Sequence, residues 1–179
     1  KRQFLILKTF FQLGKILIDN IYAQKENENY FEINKNGNEN LLIANKIGQG
    51  HLLVGAHIGG WMLASKVFAK DKGDSENSLI FNIVEFDSGK GHKSQDKINE
   101  SSINFILNTD DSPIFKINQA LTQNEVVIFM GDRLFSDDVE LVPFLGKLAP
   151  FEPTPFRIAV AKKASLSFSF GLKKNNNEY

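Results

Sequence analysis

The sequence predicts an α/β fold: a mostly parallel central sheet flanked by helices, with an amphipathic helix at the N-terminus. Three observations carry that reading. Short apolar runs of strand length, such as His51 to Ala56 and Glu125 to Met130, alternate with segments of helix length. The runs are apolar almost throughout, as strands covered on both faces are. The first two dozen residues instead repeat their polar positions at helical spacing.

In that first segment, Phe4 to Tyr22, the residues Lys8, Gln12, Lys15 and Asp19 form one narrow polar stripe on an otherwise apolar helix. Such a helix either docks on the domain through its wide apolar face or lies in a membrane interface. A short strand is possible at Tyr30 to Ile33. A helix follows from about Glu39 to Ile47, stopped by Gly48 and Gly50. After the His51–Ala56 strand, Gly59 and Gly60 open a helix reaching about Lys70. Further strands are expected at Ser78–Val84, Ile103–Leu107, Glu125–Met130, Val139–Leu145 and Leu166–Leu172. Helices are expected at Pro113–Leu121 and Pro155–Ala164. The segment Asp87 to Ser102 is long and polar, a place for substrate contact. Alternation of this kind builds one layered domain, and 179 residues suffice for one. The chain begins without Met and stops just after a strand-like run, so it reads as lacking its C-terminal part. No run of about 18 uncharged apolar residues marks a membrane span, and no small-residue cleavage site marks a signal peptide.

Composition removes several classes of function. With no cysteine there is no disulfide framework, thiol nucleophile or cysteine-ligated metal. Three scattered histidines supply no metal-ligand spacing, and no bound cofactor is expected. Neither a P-loop nor the dinucleotide glycine pattern is present. Charges balance, 21 basic against 21 acidic, so no global positive field points to nucleic acid. Locally the balance differs: Lys147, Arg157, Lys162, Lys163, Lys173 and Lys174 face only Glu152 between positions 147 and 174. That bias attracts anionic headgroups or a phosphorylated carrier, unless it is simply a solvated face.

Open α/β sheets place ligands beyond the carboxyl ends of their strands, which selects the turns after Ala56 and Met130. The first reads Ala56-His57-Ile58-Gly59-Gly60-Trp61-Met62-Leu63-Ala64. A histidine here is either a general base or a satisfied structural residue. The glycines let another group approach the backbone, and the helix start offers N–H groups. The second turn reads Met130-Gly131-Asp132-Arg133, where an acid and a guanidinium either fix the loop or bind an anion. A third element, Val142 to Phe151, combines Pro143, Gly146 and Pro150 with large apolar residues. It reads as a turn lining an acyl groove, or as a core edge.

In order, Ala56-His57-Ile58-Gly59-Gly60-Trp61 with Leu63-Ala64, Gly131-Asp132-Arg133, Phe144-Leu145-Gly146-Lys147 and Pro155-Phe156-Arg157-Ile158-Ala159 resemble the bacterial lipid A biosynthesis acyltransferases, within the lysophospholipid acyltransferase superfamily. The Phe11-Gln12-Leu13-Gly14 to Asp19 stretch resembles that branch's N-terminal segment, so the likeness spans nearly the whole chain. It implies transfer of a fatty acyl group from acyl carrier protein or coenzyme A to a hydroxyl or amine of a membrane lipid. The site would lie at the cytoplasmic face of the bacterial inner membrane, with the chain peripheral or held by its N-terminal helix. It implies His57 as general base, and Gly59, Gly60, Trp61, Asp132, Arg133, Lys147 and Arg157 as substrate-binding residues. The family's acid, five residues after the histidine, holds the imidazole in its working tautomer; here that position is Met62. Asp132, Asp137, Asp138, Glu85 and Asp87 are conceivable replacements, and the sequence does not choose among them. Without one, the chain is a weak or inactive lipid- or partner-binding relative, or an inactivated variant. If the chain is an acyltransferase with His57 as its base, Met62→Glu is expected to raise its activity.

Overall fold

Five parallel strands in the order β3-β2-β4-β1-β7 form the central sheet. The computed structural model describes residues 2–24, 30–61, 63, 79–85, 103–134 and 137–179. The sheet strands are β1 (His51–Gly55), β2 (Phe81–Glu85), β3 (Ile103–Leu107), β4 (Val126–Met130) and β7 (Ser165–Phe168). All four pairings between them are parallel, so the expected mostly parallel sheet is wholly so. In β1 and β2 the first four residues are buried without alternation, as in strands covered on both faces, the polar Asn82 of β2 included. The helices are α1 (Arg2–Gln24), α2 (Asn38–Ile47), α3 (Pro113–Thr122) and α4 (Thr154–Lys162). Pro113 sits in the first turn of α3, where its missing N–H costs nothing. The same helix buries Ile117, Ala120 and Leu121 at helical spacing against Leu52, Val84, Ile106, Val127 and Phe129.

The chain packs as two units. One comprises Asn36–His57 and Ala69–Ser169, and so holds the whole sheet. Its α2–β1 and α3–β4 corners are tied by Asn124, in the left-handed conformation that asparagine tolerates. The Asn124 side chain donates to the Asn45 backbone and side-chain oxygens, both at 2.9 Å, and accepts the Gly50 N–H at 3.1 Å. Gly50 is obligatory there: its φ is +73°, and a Cβ would lie 2.6 Å from the Leu121 carbonyl oxygen.

A second sheet, expected only as one strand and a turn, is the antiparallel ribbon β5 (Glu140–Phe144) and β6 (Lys147–Phe151). Pro150 disguised β6, because proline is read as a turn former; in an edge strand it is tolerated. All ten ribbon positions are at least partly solvent-facing, eight of them exposed, so the ribbon is not a core edge.

The other unit comprises Lys1–Lys35, Ile58–Phe68 and Phe170–Tyr179. Instead of a strand, Tyr30–Ile33 contributes a single bridge, Glu32 to Glu178. Phe31 and Leu63 are its buried apolar residues, joined by Ile33 and Tyr179. The helix α1 is inverted relative to a usual surface helix. Its polar stripe is the bonded side: Lys15 donates to Asn176 at 3.4 Å, and Asp19 accepts from both Lys173 and the Tyr179 hydroxyl. Burial, then the Asp19 carboxylate holding its proton, pushes the Tyr179 phenol far above its usual range. Phe4, Leu7, Phe10 and Phe11 are each about two-thirds exposed. Among the described residues no helix is long and apolar enough to cross a membrane. The expected helix from Gly59 to Lys70 lies outside the described residues beyond Leu63, apart from the helical Trp61 and Leu63 themselves; Asp87 to Ser102 lies outside them too.

His51, the first residue of β1, is 2% exposed, and among the described residues neither ring nitrogen has a hydrogen-bond partner. Burial therefore lowers its pKa below the ordinary 6.5. The unfolded chain takes up a proton near that pH that the folded chain refuses, so stability present above pH 6.5 is lost as pH falls below it. Thermal unfolding from pH 8 to 5 should show this slope in the native protein. In His51→Leu it should be flattened, with the two curves running parallel above pH 7.

Candidate active site

The register between β1 and β4 decides what can meet at their carboxyl ends. Gly55 pairs with Met130, and His57 and Asp132 each follow two residues later. Parallel pairing thus carries them to equivalent positions past adjacent strands. The chain leaves β1 for β2 on one side of this pair, and β4 leads on to β7, beyond β1, on the other. The connections leaving β1 and β4 thus run in opposite directions, as they do at the β2–β4 gap beside it, and it is beyond strand ends of this kind that ligands bind in open α/β folds.

The last step of the approach depends on Gly131. Its N–H donates to the Gly55 carbonyl at 2.8 Å, prolonging the ladder past the end of β4. A Cβ on Gly131 would stand 2.8 Å from Val54 Cγ1, so a larger residue would push the turn off β1. With glycine there, Asp132 grips His57 twice. Its Oδ1 lies 2.9 Å from His57 Nδ1, and its Oδ2 accepts the His57 backbone N–H at 3.1 Å.

Those two contacts assign the proton. Partial burial pushes the Asp132 carboxyl up, but the His57 ring and backbone bonds outweigh it and hold the group below its ordinary value. An ionised carboxylate only accepts, so Nδ1 must donate. In the neutral imidazole the lone pair then belongs to Nε2, the state a general base requires. The histidine side chain is 27% exposed and the aspartate 40%, so the pair stands at the surface rather than in the core.

Of the five acids that might serve His57, Asp132 is the one seen bonded to it among the described residues. Asp138 binds Arg157 instead, and Asp137 is exposed. Glu85 ends β2, where its backbone carbonyl accepts Asn108 N–H; Asp87 and Met62 lie outside the described residues. Arg133 is exposed beside Asp132, with no carboxylate partner among the described residues, which suits it to an anion better than to a salt-bridged turn.

The remaining expected site residues have other surroundings. Arg157 on α4 bonds Asp138 and, at 3.2 Å, Glu140, all at the surface. Lys147 adjoins the apex of the β5–β6 ribbon. Gly59, Gly60 and Trp61 belong to the unit that holds α1. There the group approaching the glycines is protein backbone. Gly60 N–H donates to the Gly171 carbonyl at 2.6 Å, and a Cβ on Gly59 would fall 2.0 Å from that oxygen. The Gly60 amide is thus used within the protein. Among the described residues no group of histidines and acids could hold a metal. No protein-family model matches the chain, and no curated protein is detectably similar to it in sequence.

Gly131→Ala tests the construction of the pair. It should lower stability by about 1–3 kcal/mol, the usual cost of overpacking, and loosen Asp132 from His57. Nitrogen-15 shifts of the neutral ring should report a predominantly Nδ1-protonated imidazole in the native protein, and a tautomer mixture in Gly131→Ala.

Proposed function

We propose that the chain is an acyltransferase that moves a fatty acyl group from a thioester to a hydroxyl or amine of a membrane lipid. The observation that carries this is the His57–Asp132 pair beyond the carboxyl ends of β1 and β4. The order of motifs across the chain supplies the reaction class, through their likeness to the lipid A acyltransferases.

In this reading His57 Nε2 removes the proton from the acceptor hydroxyl or amine as it attacks the thioester carbonyl. The new bond to carbon forms, the carbon–sulfur bond breaks, and the proton passes to the departing thiolate of the carrier protein or coenzyme A. Asp132 fixes the tautomer and stabilises the imidazolium formed on the way. Arg133 is placed by sequence directly after Asp132 to hold a phosphate of donor or acceptor. Asp132 thereby takes the part of the acid missing at Met62, and the chain needs no carboxylate there. The outward apolar face of α1, with Arg2, Lys8 and Lys15 among its few charges, supports a peripheral seat on an anionic membrane. A cytoplasmic face follows from where acyl thioesters are made available.

Purified protein should transfer acyl groups from carrier-protein or coenzyme A thioesters when several chain lengths and both glucosamine-type and aminolipid acceptors are offered. His57→Ala should reduce the rate about 10²–10⁴-fold. Asp132→Asn should cost up to roughly 10⁴-fold through the wrong tautomer, while Met62→Glu should bring no gain. A Met62→Glu variant more active than the native chain, with Asp132→Asn indifferent, would instead identify an inactive lipid-binding relative.

A further inference from the structure

The β5–β6 ribbon breaks the rules of a water-exposed hairpin at its tip. Its two-residue turn is Leu145-Gly146, with φ of +52° and +82°. Such a turn favours asparagine, aspartate or glycine first, and leucine in the left-handed region is disfavoured. Yet Leu145 is 89% exposed, the most exposed large apolar residue among those described. Leu141, Phe144 and Leu148 are each more than half exposed beside it. A hairpin that tolerates backbone strain to hold a leucine outward is spending stability on something that side chain touches.

Charge is sorted along the ribbon. The acids Asp137, Asp138 and Glu140 stand at its base, where Arg157 binds two of them. From Leu141 to Phe151 the one charged residue is Lys147, beside the apex, with no carboxylate partner among the described residues. The backbone fits an apolar surrounding as well. With the turn closing on the Phe144–Lys147 pair, Pro143 and Pro150 fall at positions whose N–H would point away from the ribbon. Proline removes those donors from both edges. That leaves one outward N–H on each edge, Leu141 and Leu148, so fewer unpaired donors would enter lipid, and an edge interrupted by proline is a poor template for a partner strand.

We propose that the β5–β6 ribbon is a membrane wedge, whose tip of Phe144, Leu145 and Leu148 enters the interface of an anionic bilayer while Lys147 meets its headgroups. The proposal adds a second membrane contact to the reading above and is independent of whether acyl transfer occurs. A tip-first pose seats the apolar end in the interface and keeps the acids a strand's length, about 17 Å, back in water.

The absence of cysteine makes the test clean. The full chain carrying Leu145→Cys, labelled with an environment-sensitive fluorophore, is mixed with 7:3 phosphatidylcholine–phosphatidylglycerol vesicles containing lipid-borne quencher. A blue shift and quenching are expected at position 145 and not at a labelled Gln123→Cys control, with a weaker response on pure phosphatidylcholine. Leu145→Asn, which suits the turn, should melt no lower than the native protein yet bind the anionic vesicles roughly ten-fold more weakly. Flotation separates the failures. If the chain floats with vesicles while position 145 stays in water, the wedge is overturned and membrane seating through α1 stands. If nothing floats, both fall. If Leu145→Asn dissociates a dimer in vesicle-free solution and lipid never quenches the probe, the tip is a self-association surface and the wedge is overturned.

Discussion

The backbone ladder between β1 and β4 is the constraint on which the site rests. Because the pairing is parallel and sets Gly55 against Met130, equal offsets beyond the two strands meet, and those offsets hold His57 and Asp132. No long-range electrostatics has to find the pair. Hydrogen bonds that form for the sake of the sheet deliver an acid to a base, and the Gly131 N–H to the Gly55 carbonyl closes the remaining distance. Shifting the register by one residue would turn every side chain of the strand to the opposite face and separate the two groups.

Most of the sheet was legible in the sequence, since β1 and β4 are near-continuous apolar runs ended by Gly and polar residues. The boundaries of β2 and β7 moved by a few residues: the apolar Leu79 and Ile80 precede the β2 ladder, and apolar residues continue past the end of β7. What the sequence withheld was adjacency. Asp132 was visible as one of five acids, and only the knowledge that β4 lies beside β1 singles it out. Likewise nothing in the sequence sets Val54 against Gly131, the contact that requires glycine there. The glycine pair 59–60 lets another group approach the backbone: a ligand by the resemblance, the backbone of Gly171 in the structure. Nothing local distinguishes those two uses, because both need only the absence of a Cβ. The ribbon was half legible, its strand β6 hidden by a proline whose role is to blunt an edge.

Both units present apolar surface in ways a water-soluble core does not require. In one, α1 satisfies Lys15 and Asp19 within the protein and leaves its phenylalanines and leucines outward. In the other, the ribbon holds a leucine at the turn position chemistry assigns to asparagine. Ordinary amphipathic patterning cannot reveal such an inversion, since the hydrophobic period is the same whichever face is bonded. The partners of the polar stripe settle it, and those come from some 150 positions away in the chain: an ion pair with Lys173 and a hydrogen bond from the Tyr179 hydroxyl.

The strand order also dictates when the site can exist. β1 is among the first sheet strands to leave the ribosome, but both of its neighbours, β4 and β7, are made much later. Its apolar edges must wait through the synthesis of β2, β3 and α3, and the 75-residue separation of His57 from Asp132 closes only afterwards. Pairing over such distances is slow and leaves strand edges open to aggregation in the interval. The nascent chain therefore passes through a long stage with His57 already present and Asp132 not yet made, and the pair is assembled only as the sheet itself becomes complete.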